Sequence, residues 1–277
     1  MIWILNTNKV TDSESMYCGQ MKYFAKPVVA IMEFMNTLEK ECPKLDVRRC
    51  RCSLDNVVWS QTAEFLIPVT TVNCSYLHLE NIPAEIPSNT TILLLNNNNI
   101  SDLSPIVTNS RYHQVADIYL DNNLVENVDI LEGAAWLNNF RVLSFKANNI
   151  KALPTYAFDN AFEKNNHAVK VYFGNNPWTC DCTFTPGFKD LLAKHRSLIQ
   201  DIDDIKCAYI RNDDNSLIKI KELSRNAVCH EDGWLTSLDV LNVILAVLII
   251  LLCGKFLYDY WIYKTRGKLP WIAMKLL

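Results

Sequence analysis

An asparagine recurs on a fixed beat in this chain. Asn98, Asn123 and Asn148 stand twenty-five residues apart, and Asn176 follows. Each closes the same short phrase: Thr90-TILLLNNNN-Ile100, Val115-ADIYLDNNL-Val125, Phe140-RVLSFKANN-Ile150 and Ala168-VKVYFGNNP-Trp178. Self-similarity at a period of this length means a solenoid, a stack of coils none of which can bury its apolar face alone. Within each phrase the fourth and sixth places are apolar: Leu93/Leu95, Ile118/Leu120, Leu143/Phe145 and Val171/Phe173. Alternation of that kind marks a short strand with one buried face. The asparagine follows where the chain turns away. Its side-chain amide both donates and accepts, so it can bond backbone groups that the turn leaves without sheet partners. Asparagine as a mere loop marker does not account for four occurrences in register with paired apolar places.

All four phrases fit L-x-x-L-x-L-x-x-N-x-L and resemble the leucine-rich repeat. About three coils are the minimum for stability, so four are few. Open ends would expose core and unpaired strand edges, so caps are expected.

The ten cysteines supply them. Eight fall into two groups of four on either side of the repeats, Cys42, Cys50, Cys52 and Cys74 upstream and Cys180, Cys182, Cys207 and Cys229 downstream. Spacing alone leaves three connectivities open in each group. Zinc held by the C-x-C thiolates is the alternative, although most zinc knuckles use C-x₂-C and each group here borders a repeat end. The downstream run Asn176-PWTCD-Cys182 resembles the C-terminal cap of extracellular leucine-rich-repeat proteins. The upstream group, followed by Ile82-PAEI-Pro87, resembles their N-terminal cap. The resemblance implies the pairs Cys42–Cys52, Cys50–Cys74, Cys180–Cys207 and Cys182–Cys229. The gap from Cys52 to Cys74 is longer than that pattern expects and suggests an insertion around Ser60–Val69. Eight paired cysteines imply an oxidising compartment. Three sequons agree with it, at Asn73, Asn89 and Asn99.

From Leu235 to Tyr258 the chain is apolar apart from Asp239, Asn242 and Lys255. That is enough for a membrane span, which needs about 20 residues. Trp234 on one side and Tyr258, Tyr260, Trp261 and Tyr263 on the other suit the two interfaces. Lys264, Arg266, Lys268 and Lys275 follow the span against the single acid Asp259, so positive charge favours a cytosolic C-terminus. No cleavable signal is evident: Met1–Leu5 is too short an apolar run, and Met21–Met35 is broken by Lys26, Pro27 and Glu33. Either the gene model is incomplete or the span itself directs insertion. Cys18 stands outside both groups. Cys253, at the end of the span, is either a palmitoylation site or an inert buried thiol.

The fold class expected is therefore an α/β-type repeat: a short leucine-rich-repeat solenoid with a parallel concave sheet, disulfide-rich caps and one transmembrane helix. Its divisions are an N-terminal segment, poorly ordered or locally helical (1–41), the N-terminal cap (42–88), the repeats (89–176), the C-terminal cap (177–230), the span (235–258) and a short basic tail (259–277).

Catalysis is not expected. The histidines at 78, 113, 167, 195 and 230 lie in no H-x-x-x-H motif, and G-x-S-x-G and phosphate-loop patterns are absent. No cofactor, metal or small-molecule substrate is implied. A net charge of −3 with no basic stripe argues against nucleic acid. On the concave face the outward strand positions are Ile92, Leu94 and Asn96; Asp117, Tyr119 and Asp121; Val142, Ser144 and Lys146; and Lys170, Tyr172 and Gly174. Tyr119, Asp121, Lys146 and Tyr172 are the expected contacts for a protein ligand or co-receptor; a solvated, idle surface is the alternative.

Residues 42–230 resemble extracellular leucine-rich-repeat transmembrane proteins, which implies recognition or adhesion at the plasma membrane. The run Tyr258-DYWIYKTRGKLPWI-Ala273 is similar, more narrowly, to an insect member of that family with an indirect part in hormone-timed development. The alternative is an accessory subunit acting on a receptor, channel or protease through its span and tail.

Overall fold

Six strands add in sequence order to one sheet, β1 (Arg51–Trp59), β2 (Leu66–Asn73), β3 (Thr90–Leu94), β4 (Asp117–Tyr119), β5 (Val142–Ser144) and β6 (Lys170–Tyr172). β1 and β2 form an antiparallel hairpin, and every later pairing is parallel. The computed structural model describes residues 12, 15–44, 48–60, 65–210, 218–229 and 237–267. The chain divides into two units, Met1–Cys229 and His230–Leu277.

In the first unit the apolar pairs stack as the period requires. Leu93, Ile118, Leu143 and Val171 lie in register. They and the sixth-place residues Leu95, Leu120, Phe145 and Phe173 are all 0% exposed. The parallel crossovers return over the opposite side through short helices, α2 (Ser104–Thr108) in the first coil and α3 (Thr155–Lys164) in the third. The ten-residue α3 accounts for the wider interval of 28 residues between Asn148 and Asn176.

Each repeat asparagine is buried and bonds two coils at once. Asn98 accepts the amides of Leu77 and Leu79 at 3.0 Å and donates to the carbonyls of Cys74 (3.0 Å) and Leu95 (2.8 Å). Asn123 accepts from Ile100 and donates to Leu95 and Leu120, each at 3.0 Å. Asn148 accepts from Val125 (3.1 Å) and donates to Leu120 (2.8 Å) and Phe145 (3.1 Å). Asn176 accepts from Asn148 (3.0 Å) and Ile150 (3.2 Å) and donates to Phe145 and Phe173 at 2.9 Å. The turn that makes this possible needs left-handed backbone one residue earlier. Asn97, Asn122, Ala147 and Asn175 have φ of 57°, 53°, 54° and 57°, and asparagine tolerates that region better than most residues.

Both ends of the stack are closed. Cys42 is bonded to Cys52 and Cys50 to Cys74; Cys180 is bonded to Cys207 and Cys182 to Cys229. The free edge of β6 is covered by the C-terminal cap: Val171 donates to Leu198 at 2.9 Å and Gln200 donates back to Val171 at 3.0 Å. β7 (Trp178–Cys180) and β8 (Cys207–Ile210) pair beyond it, with α4 (Thr185–Lys194) packed alongside and α5 (Arg225–Val228) closing the cap. Trp178 of the cap motif is 0% exposed and donates its indole to Phe173 at 3.2 Å. An aromatic series runs from Trp136 through Phe140, Phe162 and Phe158 to Phe173, and from there through Trp178 itself to Phe188.

The described part of the N-terminal segment is helical and carries a small core of its own. α1 (Val28–Glu41) begins directly after Pro27 and lays Ile31 and Leu38 against Leu54 and Val57 of β1. Tyr23 joins this second small core and donates its hydroxyl to the carbonyl of Leu54 at 2.6 Å. The long β1–β2 hairpin carries the extra residues of the N-terminal cap; its tip, residues 61–64, lies outside the described residues, as does Met1–Leu5.

In the second unit α6 runs from Ser237 to Arg266. Over Leu238–Arg266 it is long and apolar enough to cross a membrane. The helix does not stop where a span of 235–258 would end. No glycine or proline interrupts Tyr258–Arg266, Lys255 pairs with Asp259 at 2.8 Å, and Gly267, at φ +62°, caps the end by donating to Tyr263 at 3.0 Å. Trp234, Leu235, Lys268, Lys275 and the rest of the expected tail beyond Gly267 fall outside the described residues.

Candidate functional site

The parallel register arranges the open face of the sheet in rows. One row is Ile92, Asp117, Val142 and Lys170; the next is Leu94, Tyr119, Ser144 and Tyr172. Asn73 and Arg51 extend the second row into the N-terminal cap. Core positions and face positions alternate, so this second row carries the two tyrosines outward, two strands apart.

The face is more deeply shaded than an outward list suggests. Asp117, Val142, Ser144 and Gly174 are buried, because taller neighbours stand over them. Arg141 reaches across Asp117 with a two-pronged bond, 2.8 Å from Nε and 2.5 Å from the terminal nitrogen. That bond pushes the Arg141 guanidinium up from its ordinary value.

Of the four expected contacts, Tyr119 and Tyr172 are half-buried and present their rings on one row. Burial, then the neighbouring Asp117, raises the Tyr119 phenol above its usual value. Asp121 and Lys146 sit differently. Asp121 accepts the hydroxyl of Ser144 and, at 3.2 Å, the amide of Lys146; burial nevertheless pushes its carboxyl up. The Lys146 ammonium lies 3.1 Å from Asp204, which holds it above its ordinary value. The structure therefore brings all four side chains onto one face while committing Asp121 and Lys146 to internal bonds.

Two contributors escape sequence reading. Asp201, in the C-terminal cap, accepts the amides of Phe173 (3.0 Å) and Gly174 (2.7 Å), and burial raises its carboxyl. Arg141 precedes its strand and so falls off the alternating list. Only the glycine at 174 hints at the first, since a Cβ there would lie 2.6 Å from both Asp201 Oδ2 and Asp204 Cβ.

The sequon asparagines take different places. Asn89 and Asn99 are exposed. Asn73 is half-buried on the open face, with its side-chain oxygen accepting the amide of Ser75 at 2.9 Å.

Comparison with known proteins agrees with this architecture. The family described as Halfway C-terminal domain matches residues 238–275. The chain is 38% identical to Protein singed wings 2 of Drosophila melanogaster over 96% of its own length and 54% of that protein. It is 29% identical to Protein halfway of the same species, over 85% of this chain and 38% of that protein. The chain thus spans about half, or less, of the length of these curated relatives. A chain in the structure of the Drosophila Toll–Spatzle complex superposes with a TM-score of 0.53 at 19% identity, covering 78% of this chain and 26% of that one.

Proposed function

This chain is a leucine-rich-repeat protein homologous to singed wings 2 and halfway, and we propose on that premise that its disulfide-capped unit recognises another protein at a cell surface. The open face of the sheet is the recognition surface. The observation that carries this reading is the row Leu94, Tyr119, Ser144 and Tyr172, which sets two half-buried aromatic side chains two strands apart on a rigid support. Tyrosine is a frequent anchor of binding energy because it brings large area with few rotatable bonds.

Location follows from the same features. Four disulfides favour an oxidising space for the repeats. An apolar helix with basic residues after it favours a single pass through the plasma membrane with the C-terminus in the cytosol. We further propose recognition or adhesion in hormone-dependent insect development as the setting, a reading that rests on the similarity to Drosophila relatives and not on these features.

A second reading has one observation in its favour: the family match covers the span and tail, residues 238–275, and not the repeats. On that reading the protein is an accessory subunit of a membrane receptor, channel or protease. Proximity labelling on intact cells separates the two. With the full-length chain, Tyr119→Ala/Tyr172→Ala removes the labelled partner if the face recognises it. Exchange of the span for an unrelated one removes it if the membrane helix does. A partner that survives the tyrosine changes in a folded, surface-delivered protein would defeat the first reading.

A further inference from the structure

The C-terminal half of the open face is built around a gap and an unbalanced charge. Tyr119 and Tyr172 flank Ser144 in one row, so their backbones are two strand spacings, roughly 9.5 Å, apart. A flat group stacked between two rings needs roughly 7–8 Å. Ser144 fills none of that height, being buried with its hydroxyl turned to Asp121.

Acid outweighs base in its charge count. Asp117 is matched by Arg141 and Asp204 by Lys146. Asp121 and Asp201 remain, hydrogen-bonded to a hydroxyl and to backbone amides; they share with Asp204 the field of the one Lys146 ammonium, so three carboxylates stand against that cation. The cation left over, Lys170, stands exposed at the end of the other row. The two carboxylates are fixed in place by those amides, and the absence of a side chain at Gly174 lets the Asp201–Asp204 loop close over the end of the sheet. Two fixed negative groups beside an aromatic gap complement one planar cation. Arginine matches best, since its guanidinium stacks on aromatic faces and forms forked bonds to carboxylates.

We propose that this half of the face seats a basic side chain, arginine above all, presented by an extended segment of the partner protein. The proposal rests on the reading of the open face as the binding surface.

The test uses the full-length chain in phospholipid nanodiscs and a displayed library of random decapeptides as the probe. Enrichment of arginine at one fixed position is expected. Exchange of that arginine for alanine in a selected peptide should weaken binding about tenfold or more. Asp121→Asn keeps the acceptor for Ser144 and for the Lys146 amide. It should weaken the same peptides about tenfold and flatten their salt dependence. Selected peptides with no basic preference, yet sensitive to Tyr119→Ala, would overturn the basic-partner assignment and leave the binding face standing. Peptides indifferent to both Tyr119→Ala and Tyr172→Ala would overturn the face itself. A library that enriches nothing would also count against the proposal.

Discussion

The side-chain amide of Asn123 donates to the carbonyl of Leu95, in the preceding coil, at 3.0 Å, and to Leu120 in its own coil at the same distance. One residue thereby closes its own turn and fastens it to its neighbour, in a buried place where it is only 5% exposed. Asn123→Ala would leave those carbonyls and the amide of Ile100 without this partner. Leaving buried backbone groups unpaired costs about 1–3 kcal/mol each at most. The variant should lose roughly 2–4 kcal/mol in urea unfolding of the purified protein. A loss under about 0.5 kcal/mol, the size of an ordinary surface change, would mean that the ladder does not hold the stack.

Ala147 occupies the left-handed turn position that asparagine fills in the other three repeats. Its Cβ makes that conformation costly by about 1–2 kcal/mol, a cost that asparagine partly relieves through local hydrogen bonding. Ala147→Asn should therefore stabilise by roughly 0.5–1 kcal/mol, and Asn122→Ala should destabilise by a similar amount. Paired thermal melts of the two variants decide it, and equal shifts of the same sign would refute the backbone argument.

Asp121 links stability to pH. Burial raises its carboxyl above the ordinary value of 3.8, so the folded state holds the proton more tightly than the unfolded chain does. The charged form thus costs stability at pH 7, and that cost is recovered as pH falls through the raised value toward 3.8. Asp121→Asn should melt above the wild type at pH 7, with the advantage fading by about pH 4. An advantage that persists undiminished in acid would point away from burial as its cause.

Asn73 shares a row with Leu94 and Tyr119 and spends its side-chain oxygen on the amide of Ser75. A glycan there would stand over the proposed recognition surface. Glycopeptide mass spectrometry should find sugar on the exposed Asn89 and Asn99 and none on Asn73. Full occupancy at Asn73 would be incompatible with an open face.

The repeat asparagines, their apolar partners and the cap motif were legible in the chain because each reports a local backbone demand repeated in register. α1 was legible only as one of two alternatives, a segment poorly ordered or locally helical, although Val28, Ile31, Met32, Met35 and Leu38 recur at helical spacing. As parts of a signal core Lys26, Pro27 and Glu33 are interruptions; in the fold, proline simply precedes the helix and Glu33 faces solvent. The placement of the open face was legible where it followed strand alternation, as at Tyr119 and Tyr172. Arg141 and Asp201 lie outside that alternation, and their roles come from cross-coil bonds that no local pattern encodes.

Site-specific photocrosslinking on living cells tests the recognition surface most directly. A crosslinker at Tyr119 of the intact protein should capture a protein partner, while one at Tyr156, 66% exposed on helix α3 away from the sheet, should capture none. Capture from Tyr156 with silence at Tyr119 would contradict the account.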